Sequence, residues 1–394
     1  MFSISRIHQL IQPISRGHFD RRVGELGADR YTKRFGRWDQ LMVMLYAQWS
    51  GAASLRQVQA GFNAQRAHHY HLGTAVVPRA TLADANARRS PEIFADLART
   101  LMAQVGRHMR RSCADLLYLL DSSSISLKGS GFDEWTRATR TRNTQGIKLH
   151  LLLDAQAQAP SWCDLSPPNV NDCTQALQLP IEAGATYVFD KGYCDYHWWA
   201  RLEQQEAFFV TRFKRNAALK LIEALPVAEP VPDQADAALI LSDQRVELAY
   251  CHSGGGRRRH PKLVLRRIEV ARVGDQPLVL ASNDFTRSAA EIAQLYRQRW
   301  QVELYFKWIK QHLNIRRFIG RSENAVRTQI LVALIAYLLL ALYRLRHGLK
   351  ASLWQVLCEV RATLFQRPQT ETAAHERRQR CRRQMAAMQR GLFA

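Results

Sequence analysis

Two short apolar runs, each leading straight into an aspartate, constrain this chain more than any other feature. Residues 116–121 read LLYLLD and residues 185–190 read ATYVFD. Small or turn-forming residues follow each at once, SSS after Asp121 and KGY after Asp190. A short unbroken apolar run closed by a turn signal is the pattern of a strand buried on both faces. Further strand candidates lie at 146–155, 161–168 and 203–214, and helical patterns follow later, so the spacing predicts a mixed α/β sheet. In an open α/β sheet, side chains at strand ends converge on one site. Asp121 and Asp190, read as strand ends, are therefore expected to meet.

Holding two divalent ions between such strands and a substrate calls for a third carboxylate. The segment 288–313 supplies a long helical pattern containing Glu303. At about 100° per residue, Tyr296, Arg299, Glu303 and Lys310 fall within about 60° of one another, with Trp300 and Lys307 just beside them. The adjoining stripe carries Leu295, Val302, Phe306, Ile309 and Leu313 and is expected to pack on the sheet. One rigid helix thus sets a carboxylate among a phenol, an indole and several cations, groups suited to phosphates and bases. Asp133, Asp154, Asp164, Asp172 and Asp195 are further acids, but none closes an apolar strand at a small-residue turn. Asp172 reads best as a helix cap, with a supporting role beside the site as the alternative. Lys191 and Tyr193 flank Asp190 and could touch phosphate.

The rest of the chain is organised around this core. Residues 1–112 read as helical: 38–51 is an apolar helix ending at Gly51, Ser54 caps a second helix closing near Gly61, and a Thr81/Asp84 box opens a third. With Arg88, Arg89 and Arg107, this suits either a helix-turn-helix-like DNA-binding region or a helical bundle with a solvated basic face. His68, His69 and His71 lack a second half with ligand spacing and read as a polar loop. Residues 214–286 read as a β-rich insertion with turns at SGGGRRRHP and VGDQP. Residues 349–394 form a basic helical tail whose part from Gln366 carries seven Arg and two Glu, a net +5.

Charge names the partner class. The 394 residues carry 56 Lys and Arg against 34 Asp and Glu, a formal net charge of +22. That self-repulsion points to a polyanion, nucleic acid before a membrane surface. Seven scattered cysteines with no CxxC pair read as reduced thiols. The N-terminus has neither an apolar core nor a cleavage site, and the apolar stretch 330–343 falls short of the roughly 20 residues that span a bilayer. A buried core helix in a soluble, cytoplasmic protein is expected, with no membrane partner.

The spacing Tyr296-x2-Arg299-x3-Glu303-x6-Lys310 resembles the Y-R-E-K motif of bacterial insertion-sequence transposases of the insertion sequence four group. LLYLLDSSSI resembles that family's first-aspartate strand and YVFDKGY its second-aspartate motif, and the likeness extends from about 17 to 345. The resemblance implies a ribonuclease H-like catalytic domain over 113–213 and 287–348, interrupted by the 214–286 insertion and preceded by the helical domain 1–112. It implies that Asp121, Asp190 and Glu303 hold two Mg²⁺ ions, with Mn²⁺ able to substitute. It further implies cleavage at the terminal inverted repeats of an element, strand transfer into target DNA, and a homodimer in the DNA-bound complex at the bacterial nucleoid. Tyr296, Arg299 and Lys310 would hold phosphates. The 214–286 segment contains no tryptophan, which leaves Trp300 as the candidate for stacking on an unpaired base. Two rival readings share the motifs: a ribonuclease H-like nuclease or resolvase without strand transfer, and a DNA-binding relic acting as a repressor.

Overall fold

Strand β1 (Leu117–Ser126) owes its place to its first four residues, LYLL, which are buried on both faces. A computed structural model describes residues 5–109, 116–227, 239–248, 262–272 and 274–366. β1 pairs antiparallel with β2 (Gly146–Asp154), which pairs antiparallel with β3 (Ala159–Ser166). On its other side β1 lies parallel to β4 (Thr186–Phe189), and β4 is parallel to β5 (Phe208–Arg212). The remaining strands are β6 (Leu219–Ala224), β7 (Ile240–Leu248), β8 (Val264–Val270) and β9 (Leu278–Ser282). They continue one nine-stranded sheet in the order β3-β2-β1-β4-β5-β9-β8-β7-β6.

The described residues of 214–286 are β-rich, and their strands continue the same sheet. β9 pairs with β5 from Val210↔Ser282 to Arg212↔Leu280, so the edge that β5 would expose is satisfied by the segment's own last strand. The turn SGGGRRRHP and the tail from residue 367 lie outside the described residues, as do Cys113, Cys251 and Cys381. The four cysteines described, Cys163, Cys173, Cys194 and Cys358, are free thiols.

The helices are α1 (Arg6–Ile11), α2 (Arg16–Glu25), α3 (Arg37–Ser50), α4 (Leu55–Ala64), α5 (His69–Leu72), α6 (Arg79–Arg88), α7 (Glu92–Met109), α8 (Asp133–Thr136), α9 (Asp172–Ala176), α10 (Tyr196–Gln204), α11 (Ala289–Gln298), α12 (Trp300–His312), α13 (Glu323–Arg346) and α14 (Leu353–Thr363). The chain divides into two compact units. The first, Met1–Leu82 with Leu339–Ala394, is helical throughout its described residues. The second, Ala83–Leu338, carries the sheet. The division differs from the sequence boundaries because helices distant in sequence close each core. α14 packs on α1 and α3 in the first unit, and α7 packs on β3 in the second.

In the helical unit, α3 stops at Gly51, whose φ of 71° is left-handed, and the Ser54 side chain caps α4 by accepting from the Gln57 amide. Gly61 does not close α4, which runs on to Ala64. Its role is close approach: a Cβ there would collide with the Tyr46 hydroxyl. The Thr81/Asp84 box is likewise inside a helix, since α6 starts at Arg79, and Pro91 then separates α6 from α7. The histidine cluster is no loop. His69 lies in α5, buried, stacked on Phe62 with ring centroids 4.3 Å apart, and its Nε2 lies 3.0 Å from the Phe62 carbonyl.

Every residue from Ile330 to Tyr343 is buried. They belong to α13, a helix of 24 residues that is long and apolar enough to cross a membrane, yet 94% of its most apolar window is buried inside the protein. Apolar on all sides, it is a core helix, as the sequence suggested.

Gly61→Ala tests the close approach at α4. Alanine ordinarily favours a helix interior by roughly 1 kcal/mol, but here overpacking against Tyr46 is expected to cost about 1–3 kcal/mol instead. Thermal denaturation should show the loss, and combining Gly61→Ala with Tyr46→Phe should recover most of it.

Candidate active site

The register between β1 and β4 decides the site. Their last paired residues are Leu120 and Phe189, so the next residue on each strand is an aspartate. β4 ends there, and Asp190 opens a 3₁₀ turn, Lys191–Tyr193. β1 does not end. Asp121 is in mid-strand, paired with Leu151, because the serines after it keep the β2 ladder out to Ser126↔Gly146. Its expected position as a strand end is corrected accordingly: it marks where the β4 pairing stops, while β1 runs on.

Strand parity then sorts the side chains. Tyr118 and Leu120 join a core cluster with Phe189, Trp198 and Phe209 on one face. Asp121 and Ser123 point to the other, where α12 packs on β1. Lys310 of α12 donates to the Ser123 hydroxyl at 2.6 Å and the Ser124 carbonyl at 3.2 Å. Arg299 lies 3.7 Å from Asp121 and donates to Glu303 at 2.6 Å. Tyr296 reaches Asp190 from its hydroxyl at 3.5 Å, and Arg212, at the end of β5, donates to the same oxygen at 2.6 Å. Of the residues expected on one helical stripe, Tyr296 and Arg299 reach the aspartates, Glu303 is held by Arg299, and Lys310 bonds the serines that follow Asp121.

The helix itself is interrupted. α11 ends and α12 begins at Arg299, where three-residue hydrogen bonds from the Arg299 amide to the Tyr296 carbonyl (3.1 Å) and from the Val302 amide to the Arg299 carbonyl (3.2 Å) replace the α pattern. Val302, Phe306, Ile309 and Leu313 are buried as expected, and Leu295 is half-buried.

Other expected contacts divide. Trp300 is 58% exposed, and Lys307 and Lys191 are exposed as well. Tyr193 is not at the surface. It is 2% exposed, packed edge-on against Phe189 in the aromatic core, so it cannot serve as the DNA contact anticipated from its place beside Asp190. Asp172 is not the cap of α9, because Asn171 caps it through the Cys173 amide. Asp172 instead accepts from the Ser122 hydroxyl at 3.1 Å and from Lys148 at 3.0 Å, one residue from Asp121 and beneath the site. His150 lies 3.6 Å from Asp172, and burial lowers its pKa to about 4, so it is a neutral imidazole with Nε2 2.7 Å from the Ser166 hydroxyl. Arg212 escaped the sequence reading, although FFVTRF carries the same signal as YVFDKG: a polar residue at the end of a buried run.

Burial pushes the Asp121 carboxyl up to about 6. The Ser122 amide and Arg299 oppose the rise, and the charges of Glu303 and Asp190 add to it. Burial would also raise Asp190, but the hydrogen bond and charge of Arg212, with the Lys191 amide and Arg299, outweigh it and hold its carboxyl below the ordinary value. Among the described residues no three His, Cys, Asp or Glu side chains converge closely enough to hold a metal ion as they stand. Two guanidiniums occupy the carboxylates instead, Arg299 beside Asp121 and Glu303 and Arg212 on Asp190.

A family model described as the transposase DDE domain matches residues 113–339, a span containing all three acids. The chain belongs to the DDE transposase family. A second model, described only as a domain of unknown function, matches residues 3–75. A putative transposase, y4zB, of Sinorhizobium fredii is 42% identical over 262 residues, 66% of this chain and 69% of the relative. A probable transposase for the insertion sequence element IS5377 of Geobacillus stearothermophilus is 28% identical over 261 residues, 64% of this chain and 65% of the relative. The piggyBac transposase in its synaptic complex with hairpin DNA, solved by cryo-EM, has a TM-score of 0.45 at 10% identity, over 91% of this chain and 79% of that one.

The protein is thus a DNA transposase, and DDE transposases as a family depend on divalent metal. Asp121, Asp190 and Glu303 are of a chemical type that suits such a cation. All three acids offer hard oxygens, and the Asp121 carboxyl is raised in part by its acidic neighbours, a strain that added positive charge would relieve.

Asp121→Asn tests that strain in divalent-free buffer. The folded pKa of Asp121, about 6, lies above its ordinary 3.8. Ionising it therefore costs folding stability progressively as pH rises from about 4 to 6, and the cost persists above that range. The variant should gain stability over the parent at neutral pH relative to about pH 4.5, by on the order of 1–2 kcal/mol. A difference in Tm that stays flat across that range would show that Arg299 offsets the burial completely.

Proposed function

We propose that Asp121, Asp190 and Glu303 are the catalytic acids of this transposase and hold two Mg²⁺ ions, for which Mn²⁺ substitutes. The observation that carries this reading is that Asp121 and Asp190 each follow directly on the last β1–β4 pair, with Glu303 tied to Asp121 through Arg299. The ions, when bound, supply an activated water or 3′-hydroxyl and stabilise the leaving oxygen of an in-line displacement at phosphorus. Asp121 keeps its place because the β1–β2 ladder holds its backbone, and Asp190 because it joins the end of β4 to the turn Lys191–Tyr193. Arg299 and Arg212 give up the carboxylates and turn to phosphate oxygens, which their planar forks suit. Tyr296 and Lys310 position the strand at the cut, Lys307 and Lys191 add phosphate contacts at the surface, and Trp300 stacks on a base displaced there.

The reaction is cut-and-paste transposition of an insertion sequence: cleavage at the terminal inverted repeats, release of the element and strand transfer into target DNA. The order β3-β2-β1-β4-β5, with the first three strands antiparallel and the last two parallel to β1, supports a ribonuclease H-like catalytic domain over 113–213 and 287–348. The strands of 214–286 are an extension of it. The helical residues 1–112 bind the element ends, and the basic segment 349–394 adds non-specific affinity. Two element ends must be brought together, so the working form on DNA is a homodimer, acting in the bacterial cytoplasm at the nucleoid.

Asp121→Ala and Glu303→Gln should each reduce Mg²⁺-dependent cleavage of labelled element ends by at least about a thousandfold, a loss of roughly 4 kcal/mol of transition-state stabilisation. Gel-shift affinity for the same ends should change less than about threefold. Cleavage retained by either variant would sink the assignment. Cleavage by the parent protein without joining to a target plasmid would make it a nuclease rather than a complete transposase.

A further inference from the structure

A second cationic surface opens from the same edge of the sheet as Asp190. β5 runs parallel to β4 and ends at Arg212. β9 is antiparallel to β5 and β8 to β9, so the entry to β9 and the exit from β8 reach that edge too. Between these strand ends lies a cavity of about 340 Å³. Its lining includes Lys191, Arg212, Lys214, Arg215, Arg267 and Arg272, against a single acid, Asp275. Arg272 pairs with Asp275, Arg267 with Glu269, and Arg212 with Asp190. Lys191, Lys214 and Arg215 are exposed at the mouth. So many cations around one hollow repel each other, and a polyanion relieves that repulsion. The one lining aromatic, Phe213, is buried, so among the described residues the cavity presents no exposed ring on which a base could stack. A surface of this kind grips phosphates without reading sequence.

We infer that this cavity is a second DNA site, binding the phosphodiester backbone of a segment that leaves the cleavage point on the Asp190 side, apart from the α12 face that holds the element end. Arg212 joins the two, since it lines the cavity and also bonds the catalytic acid. The inference rests on the catalytic site proposed above. Two segments share this chemistry and carry no fixed sequence: the target duplex and the host DNA flanking the element.

The test uses the full-length protein with Lys214→Ala/Arg215→Ala, two exposed changes. Lys220→Ala/Lys262→Ala serves as a control that removes the same charge from exposed positions outside the cavity. Fluorescence anisotropy with a duplex of arbitrary sequence, between about 50 and 200 mM salt, gives the dependence of log K on log salt. Each lost phosphate contact lowers that slope by about 0.9, so the cavity variant should lose nearly 2 and the control much less. Strand transfer from pre-cleaved ends falling at least about tenfold, with cleavage of flanked ends intact, identifies the target as occupant; the reverse pattern identifies the flank. A slope equal to the control's, or a lowered slope with both reactions unchanged, overturns the inference. Asp121→Asn, run alongside, should lose cleavage with its slope unchanged, so failure of the catalytic assignment would be visible separately.

Discussion

Four paired positions between β1 and β4, Leu117↔Thr186 to Leu120↔Phe189, are the constraint on which the sheet-bearing unit depends. Both strands are buried on both faces there, and a shift of one residue would turn each aspartate into the core. The same pairing places β2 and β3 on one side and β5 on the other. It leaves one face of β1 for the aromatic cluster around Trp198 and the opposite face for α12. The site is a consequence of where that pairing stops.

Charge balance does the rest. Three carboxylates cannot approach one another in a half-buried pocket without cations, and Arg299 and Arg212 provide them. The two arginines come from different elements, one from the break between α11 and α12 and one from the end of β5. Arg299 pairs with Asp121 and Glu303, and Arg212 with Asp190. Beneath them, Ser122, Asp172 and Lys148 form a hydrogen-bonded prop on the other face of β1. Alternation along β1 sends Ser122 to Asp172 on one face and its neighbour Asp121 to α12 on the other.

Much of this was legible in the sequence because the relevant signals are local. Apolar runs closing on Asp121 and Asp190 identify strands, and helical periodicity puts Tyr296, Arg299, Glu303 and Lys310 on one stripe. What escaped depends on pairing between distant segments. The serines after Asp121 look like a loop, and only the partner strand 146–154 makes them β. Tyr193 looks exposed beside a charged neighbour, yet Phe189 and Trp198 bury it. Gly61 looks like a helix stop until Tyr46 is seen against it. The break at Arg299 leaves no mark in composition, because a short 3₁₀ step conserves the stripe.

The extension β6–β9 attaches through β9 to the far edge of β5, two strands away from β1. Its backbone hydrogen bonds therefore never touch the ladder that carries Asp121, although Val246, Leu248, Leu265 and Ala281 join the core cluster that also holds Tyr118 and Leu120. Changes in the exposed edge strand β6 leave every hydrogen bond of that ladder in place. The basic hollow beside Arg212 can thus be reshaped while the β1–β2 ladder keeps its hydrogen bonds, a freedom that comes from the order in which the strands are joined.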